Sequence, residues 1–185
     1  MLTQPQTILF PARLLLNDFE QISVEIGFGG GDFLLEQAKN NPKSLIVGFE
    51  IKNRRYDNLV RRVGRQQLSN VQLIQADAKI SFPKIFAERR IDNIFTLFPD
   101  PWPKRKHEGH RLWNKDFLHT CYRFLKPNGK LYLATDDTNY LEQALRVMES
   151  LPEFASTDPM VVQTHYARKW SRAGRTLHYR CFQKR

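Results

Sequence analysis

Four carboxylates, Glu25, Glu50, Asp77 and Asp100, fall at the ends of four successive apolar runs. Ionised carboxylates only accept hydrogen bonds, so a cluster of them suits a ligand rich in hydroxyls, amino groups and positive charge. Glu25 opens the motif Glu25-Ile26-Gly27-Phe28-Gly29-Gly30-Gly31-Asp32, in which Gly27, Gly29 and Gly31 are spaced G-x-G-x-G. Glycines at a strand-to-helix turn let a ligand approach the backbone closely, although tight packing demands them as well. The dinucleotide fingerprint G-x-G-x-x-G needs glycine where Asp32 stands, and an acid at a helix start repels a pyrophosphate. A ligand with a cationic centre and no phosphate is compatible, and S-adenosylmethionine is such a ligand. Glu50, nineteen residues past Gly31, can accept from both hydroxyls of a ribose. Asp77 can accept from an adenine amino group, or it can cap a helix.

Asp100 lies in Phe98-Pro99-Asp100-Pro101-Trp102-Pro103-Lys104-Arg105-Lys106-His107, a proline-rich acidic and aromatic turn that runs into positive charge. Three prolines within five residues restrict the backbone, so Asp100 and Trp102 are held with little freedom. The turn follows the apolar run Asn93 to Phe98, which places it at a strand's carboxyl end, where open α/β sheets bind ligands.

The elements that must position these residues alternate. Ile22–Ile26, Leu45–Phe49, Val71–Ile74, Asn93–Phe98 and Lys130–Thr135 are predicted strands. Asp32–Asn40, Arg54–Gln67, Phe117–Phe124 and Tyr140–Leu151 are predicted helices, the second with Leu59, Val60 and Val63 turned inward. Lys126-Pro127-Asn128-Gly129 marks a helix stop and turn, and Thr176–Phe182 suits a final antiparallel edge strand. The pattern predicts a doubly wound α/β fold with a mostly parallel sheet, in one domain spanning residues 1–185.

The 185 residues carry 29 Lys and Arg against 19 Asp and Glu, a net charge of +10. Such an excess points to nucleic acid or an anionic surface as partner. The apolar stretch Ile8 to Leu16 is broken by Pro11 and Arg13, so neither a membrane span nor a secretory signal is expected, and a cytoplasmic location is. Cys121 and Cys181 are far apart and read as reduced packing thiols, and the five histidines show no metal-ligand spacing. Lys104, Arg105, Lys106 and Arg111, with Lys52 and the second helix's Arg54, Arg55, Arg61, Arg62 and Arg65, are candidate phosphate contacts or a solvated charged face.

Taken together, Glu-Ile-Gly-Phe-Gly-Gly-Gly from Glu25, Gly-Phe-Glu from Gly48, Asp77, Phe-Pro-Asp-Pro-Trp-Pro-Lys from Phe98 and Ala134-Thr135-Asp136 resemble the bacterial tRNA (guanine-N7)-methyltransferase family. The resemblance implies a seven-stranded, class I S-adenosylmethionine-dependent fold with an antiparallel edge strand, and methylation of N7 of the guanine at position 46 in the tRNA variable loop. It implies that Glu25, Glu50, Asp77 and Asp100, with the glycine turn, contact S-adenosylmethionine, that Asp100 is catalytic, and that Lys104 and Asp136 bind tRNA. Thr164 and Tyr166 match the Thr and the aromatic of the family's last motif, and join the substrate-binding set, but Ala167 stands where that motif has Glu. The missing carboxylate is expected to leave a polar contact unfilled. Trp102 or Phe28 offers a surface on which a splayed base could stack, while burial beneath the turn is the other reading for Trp102. Methylation at another RNA site, or RNA binding without catalysis, is the alternative function. No metal is needed, and a monomer and a homodimer are equally compatible with the sequence.

Overall fold

A computed structural model of the chain describes residues 16–103 and 109–185. Strands and helices alternate as β1 Gln21–Ile26, α1 Asp32–Asn40, β2 Ser44–Phe49, α2 Asn53–Arg65, β3 Val71–Ile74, α3 Ala78–Ile85 and β4 Ile91–Leu97. They continue as α4 Lys115–Phe124, β5 Leu125–Thr135, α5 Thr138–Glu149, β6 Phe154–Thr157, α6 His165–Arg172 and β7 His178–Lys184. Among the described residues the seven strands make one sheet in the order β3-β2-β1-β4-β5-β7-β6. The strands β1 to β5 pair in parallel, and β7 runs antiparallel to both of its neighbours. Chain order reverses between β1 and β4, and that switch point opens a crevice at the strands' carboxyl ends.

Both faces of the sheet are covered, which is why β2 is buried along its whole length. Its Leu45, Val47 and Phe49 belong to the same buried cluster as Phe82, Phe124 and Leu141 from α3, α4 and α5, with Phe49 against Phe82. Ile46 points the other way, into a cluster with Leu34 and Leu59 of α1 and α2. Four helices begin on side-chain caps: Asp77, Asn114, Asp137 and Thr164 each accept from a backbone N–H two or three residues ahead.

Several elements differ from the sequence expectation. α3 is a short helix interrupted by Pro83, and β6 has four residues, so neither carries a periodic signal. β7 has the expected antiparallel sense, but β6 adds outside it and takes the edge. The Lys126–Gly129 turn lies inside β5, which pairs Leu125 with Ile91, loops out through Asn128 at φ 64°, and resumes with Lys130 beside Asn93. Val60 is exposed rather than inward, because α2 turns Leu59 alone fully into the core. Cys121 and Cys181 are buried free thiols, as expected. No helix among the described residues is long and apolar enough to cross a membrane; the stretch before Leu16 lies outside them.

Candidate active site

The turn after β1 takes positive φ at Gly27, Gly29 and Gly31. At Gly31 a Cβ would also lie 2.5 Å from the methyls of Leu59, so this glycine lets α2 close against the start of α1. Phe28 from the same turn is buried among Leu34, Ile46 and Leu73, which corrects its reading as an open stacking surface.

Glu25 is 4 % exposed, and its Oε2 finds no hydrogen-bond partner among the described residues. Burial pushes its carboxyl well above the ordinary range, and Asp32 and Glu50 push in the same direction. Ionising such a buried carboxyl would take a cation beside it. Glu50 is held differently. Its Oε1 accepts from the N–H groups of Ile51 and Lys52 at 2.9 and 3.0 Å, its Oε2 accepts from Gly29 N–H at 3.1 Å, and Arg55 stands 3.6 Å away. It thereby ties the end of β2 to the glycine turn. Asp77 caps α3, accepting from Lys79 N–H at 2.9 Å, and also lines the crevice.

The crevice has two halves. One, of about 400 Å³, is lined by Glu50, Asp77, Lys79, Trp102 and Leu112. The other, of about 430 Å³, is lined by Glu25, Gly29, Asp136, Thr164, Tyr166 and Lys169. Gly27, Arg55, Leu97, Phe98, Pro99 and Asp100 line both, so the proline turn forms the sill between them. The cavity sizes are those of small-molecule sites.

The sill is strained and clamped. Phe98 and Trp102 lie at φ 54° and 45°, which costs about 1–3 kcal/mol each for residues with a Cβ. Phe98 N–H donates to Ala134 O at 2.7 Å. Arg111, 2 % exposed, donates from Nε to Pro101 O at 2.8 Å and from Nη2 to Trp102 O at 3.4 Å. Its guanidinium lies 5.7 Å from the centre of the Tyr140 ring, and the Tyr140 hydroxyl accepts from Trp113 N–H. Arg111 is therefore an internal brace, not the phosphate contact the charge count suggested. Trp102 is 41 % exposed with His110 against its ring at 5.1 Å, so it is not buried beneath the turn.

α6 closes the second half. Thr164 spends its hydroxyl on capping, accepting from Ala167 N–H at 2.9 Å. The ring of Tyr166 packs 4.7 Å from Phe98, and its hydroxyl, raised in pKa by burial and by Asp136, donates to Asp136 at 3.3 Å. Asp136 is also ion-paired to Arg175, whose guanidinium sits 3.6 Å over the ring of Trp170. Ala167 is 2 % exposed, so the expected unfilled polar contact is in fact a packed one. Sequence reasoning missed Arg175 and Trp170. The signal was Gly174: at φ 77° it ends α6 so that Arg175 N–H donates to Trp170 O, turning Arg175 back over the helix. On α2, Arg62 pairs with Asp32 and Arg55 with Glu50, leaving Arg54, Arg61 and Arg65 as the outward charges. Lys104 and its neighbours Arg105, Lys106 and His107 lie outside the described residues. Among those described, no group of three or more His, Cys, Asp and Glu could hold a metal ion.

Comparison with known proteins agrees with this architecture. The crystal structure of TrmN from Thermus thermophilus superposes with a TM-score of 0.67 at 23% identity, covering 90% of this chain and 45% of that one. The crystal structure of the aminoglycoside resistance methyltransferase NpmB1 gives 0.65 at 16% identity, covering 92% and 90%. At these identities they show the fold, that of class I methyltransferases. The family model described as "Putative methyltransferase" matches residues 20–180. A tRNA (guanine-N(7)-)-methyltransferase of Thermotoga maritima is 34% identical over 84% of this chain, and one of Chlorobium phaeobacteroides is 33% identical over 92%. The chain spans about half the length of the relatives from Thermotoga maritima and Thermus thermophilus, and 84% of that from Chlorobium phaeobacteroides. The acid-lined double crevice thus stands in a chain that belongs to the tRNA (guanine-N(7)-)-methyltransferase family.

Proposed function

We propose that residues 1–185 form one methyltransferase domain, which methylates N7 of guanine 46 in the tRNA variable loop using S-adenosylmethionine. The observation that carries the proposal is the unpaired Oε2 of the buried Glu25 carboxyl, in the half-crevice next to the strained sill. A buried carboxyl with one oxygen unpaired, ionised when a cation enters, fits the amino group and sulfonium of S-adenosylmethionine and rejects a pyrophosphate. When bound, S-adenosylmethionine supplies an electrophilic methyl group. Glu25 and the glycine turn would hold its amino-acid end, while Glu50 and Asp77 would take its ribose and adenine in the first half-crevice.

Guanine N7 presents an in-plane lone pair, so no proton need be removed before attack. The protein's task is alignment, which can supply roughly 7–11 kcal/mol of the barrier. Asp100, on the sill between the halves, is placed to offset the positive charge that develops on the purine. Asp136, Tyr166 and Thr164 wall the half-crevice into which the base would enter, and exposed Trp102 offers a stacking face at the rim. Lys104, in the basic run after the turn, would meet tRNA phosphate. The test offers the protein unmodified tRNA transcribed with guanosine or with 7-deazaguanosine, in the presence of methyl-labelled S-adenosylmethionine. Label enters the first RNA and not the second; label in both would refute N7 as the acceptor.

A further inference from the structure

The chain after Asp158 contains no acid at all, yet it carries seven Lys and Arg. Much of that charge is gathered on α6. At 100° per residue, His165, Arg168, Lys169 and Arg172 cluster on the side of the helix opposite Ala167, its one buried residue, and all four are exposed. Tyr166 and Trp170 lie on the flank, where they meet Phe98 and Arg175. α6 is thus held inward by Ala167, by Tyr166 and by the Asp136–Arg175–Trp170 stack, and presents an unbroken cationic face outward.

Stability alone does not call for such a face. Arg168 and Arg172 are four apart and repel each other, whereas a solvated helix gains from alternating signs. Some surface bases are answered by acids, as Arg123 is by Glu88 and Arg62 by Asp32, whereas among the described residues Arg168, Lys169 and Arg172 have none. Just beyond α6 the inward Arg175 does have an acid, Asp136. Lys169 joins the outward face to the second half-crevice, which it also lines. A polyanion lying along α6 would therefore pass the mouth of the recess that holds Asp136 and Tyr166.

We infer that the outward face of α6 is a docking track for the RNA phosphodiester backbone next to the nucleotide that enters the recess, with Arg168 and Arg172 each neutralising a phosphate. The inference rests on the functional proposal above for the identity of the RNA. It is separable from it, because it concerns binding and not methyl transfer.

The test measures tRNA affinity against salt for the wild-type chain, for Arg168→Gln with Arg172→Gln, and for Arg168→Lys with Arg172→Lys. Lys39→Gln with Lys43→Gln removes equal charge from exposed positions in α1 and just before β2, which lies in the other half of the sheet from β6 and β7. The glutamine pair on α6 is expected to flatten the log–log salt slope by about two and to weaken binding roughly tenfold per lost contact near 0.1 M salt. It should raise KM for tRNA while leaving kcat at saturating tRNA and S-adenosylmethionine affinity unchanged. The lysine pair should keep the wild-type slope, and the control pair should leave it unaltered. An unchanged slope in the α6 glutamine variant, or an equal fall in the control, overturns the track. A wild-type protein that binds tRNA with the predicted α6 dependence but transfers no methyl group would instead sink the enzymatic proposal and leave the track standing.

Discussion

Two carboxylates at the crevice are held in opposite ways, and each predicts a different experiment. Glu25 is buried with an orphaned oxygen and a raised pKa. Its folded pKa lies above its unfolded one, so the folded chain keeps a proton that the unfolded chain has released. Stability without ligand therefore falls as pH rises from the ordinary carboxylate range through the raised value. Glu25→Gln should remove that decline, raise the thermal midpoint at neutral pH, and weaken S-adenosylmethionine binding. Binding a cation should ionise Glu25, so calorimetry in buffers of different ionisation heat should register proton release with the wild type and none with the variant. Identical heats across buffers for the wild type would place the cofactor's positive group elsewhere. Asp100 is exposed, and its proposed role rests on its position on the sill and not on burial. Asp100→Asn keeps its shape and removes its charge, so kcat should fall by roughly 10²–10³ with the fold intact and tRNA affinity little changed. Turnover near wild type would remove Asp100 from catalysis.

The sill and α6 act as elements. Arg111 ties the Pro101 and Trp102 carbonyls to the core, so Arg111→Met should let the turn relax and lower kcat at least tenfold. Arg111→Lys should recover only part of this, because an ammonium cannot span both carbonyls as the guanidinium fork does. S-adenosylmethionine affinity should hold in both, and a parallel loss of affinity would mean that the turn is not separately braced. For α6, Ala167→Glu is expected to loosen the helix rather than complete a contact. Burying a carboxylate there should cost about 2–3 kcal/mol and lower the thermal midpoint by about 4–12 °C, with a fall in methylation. Higher activity at an unchanged midpoint would show that the carboxylate reaches the recess. Legibility followed apolar content and not length alone. β1 to β4 were readable from their apolar runs, four-residue β3 included, and the strand-end acids from their place at the ends of those runs. α3, β6 and α6 were not, since Pro83 breaks the helical pattern of α3, β6 ends in Ser and Thr, and α6 buries a single residue. The role of Arg111 was hidden because a brace and a phosphate contact look alike in sequence, and only burial separates them.

At the scale of the molecule, the switch point between β1 and β4 sets everything else in place. It brings the glycine turn beside the proline turn, and the neighbouring strand ends add Glu50, Asp77 and Asp136 around one crevice. An acid-lined interior within a chain of net charge +10 suits the proposed division of partners, a cationic small molecule inside and a polyanion outside. The central claim is that this crevice delivers a methyl group to one nitrogen of one nucleotide. The most direct measurement incubates the protein with an unmodified tRNA transcript and S-adenosylmethionine, digests the RNA, and locates the product by mass spectrometry. One 7-methylguanosine per tRNA, at position 46 of the variable loop, is predicted, and loss of that product with Asp100→Asn should accompany it. A methyl group on another atom or nucleotide, or none with a folded protein that binds both partners, would contradict it.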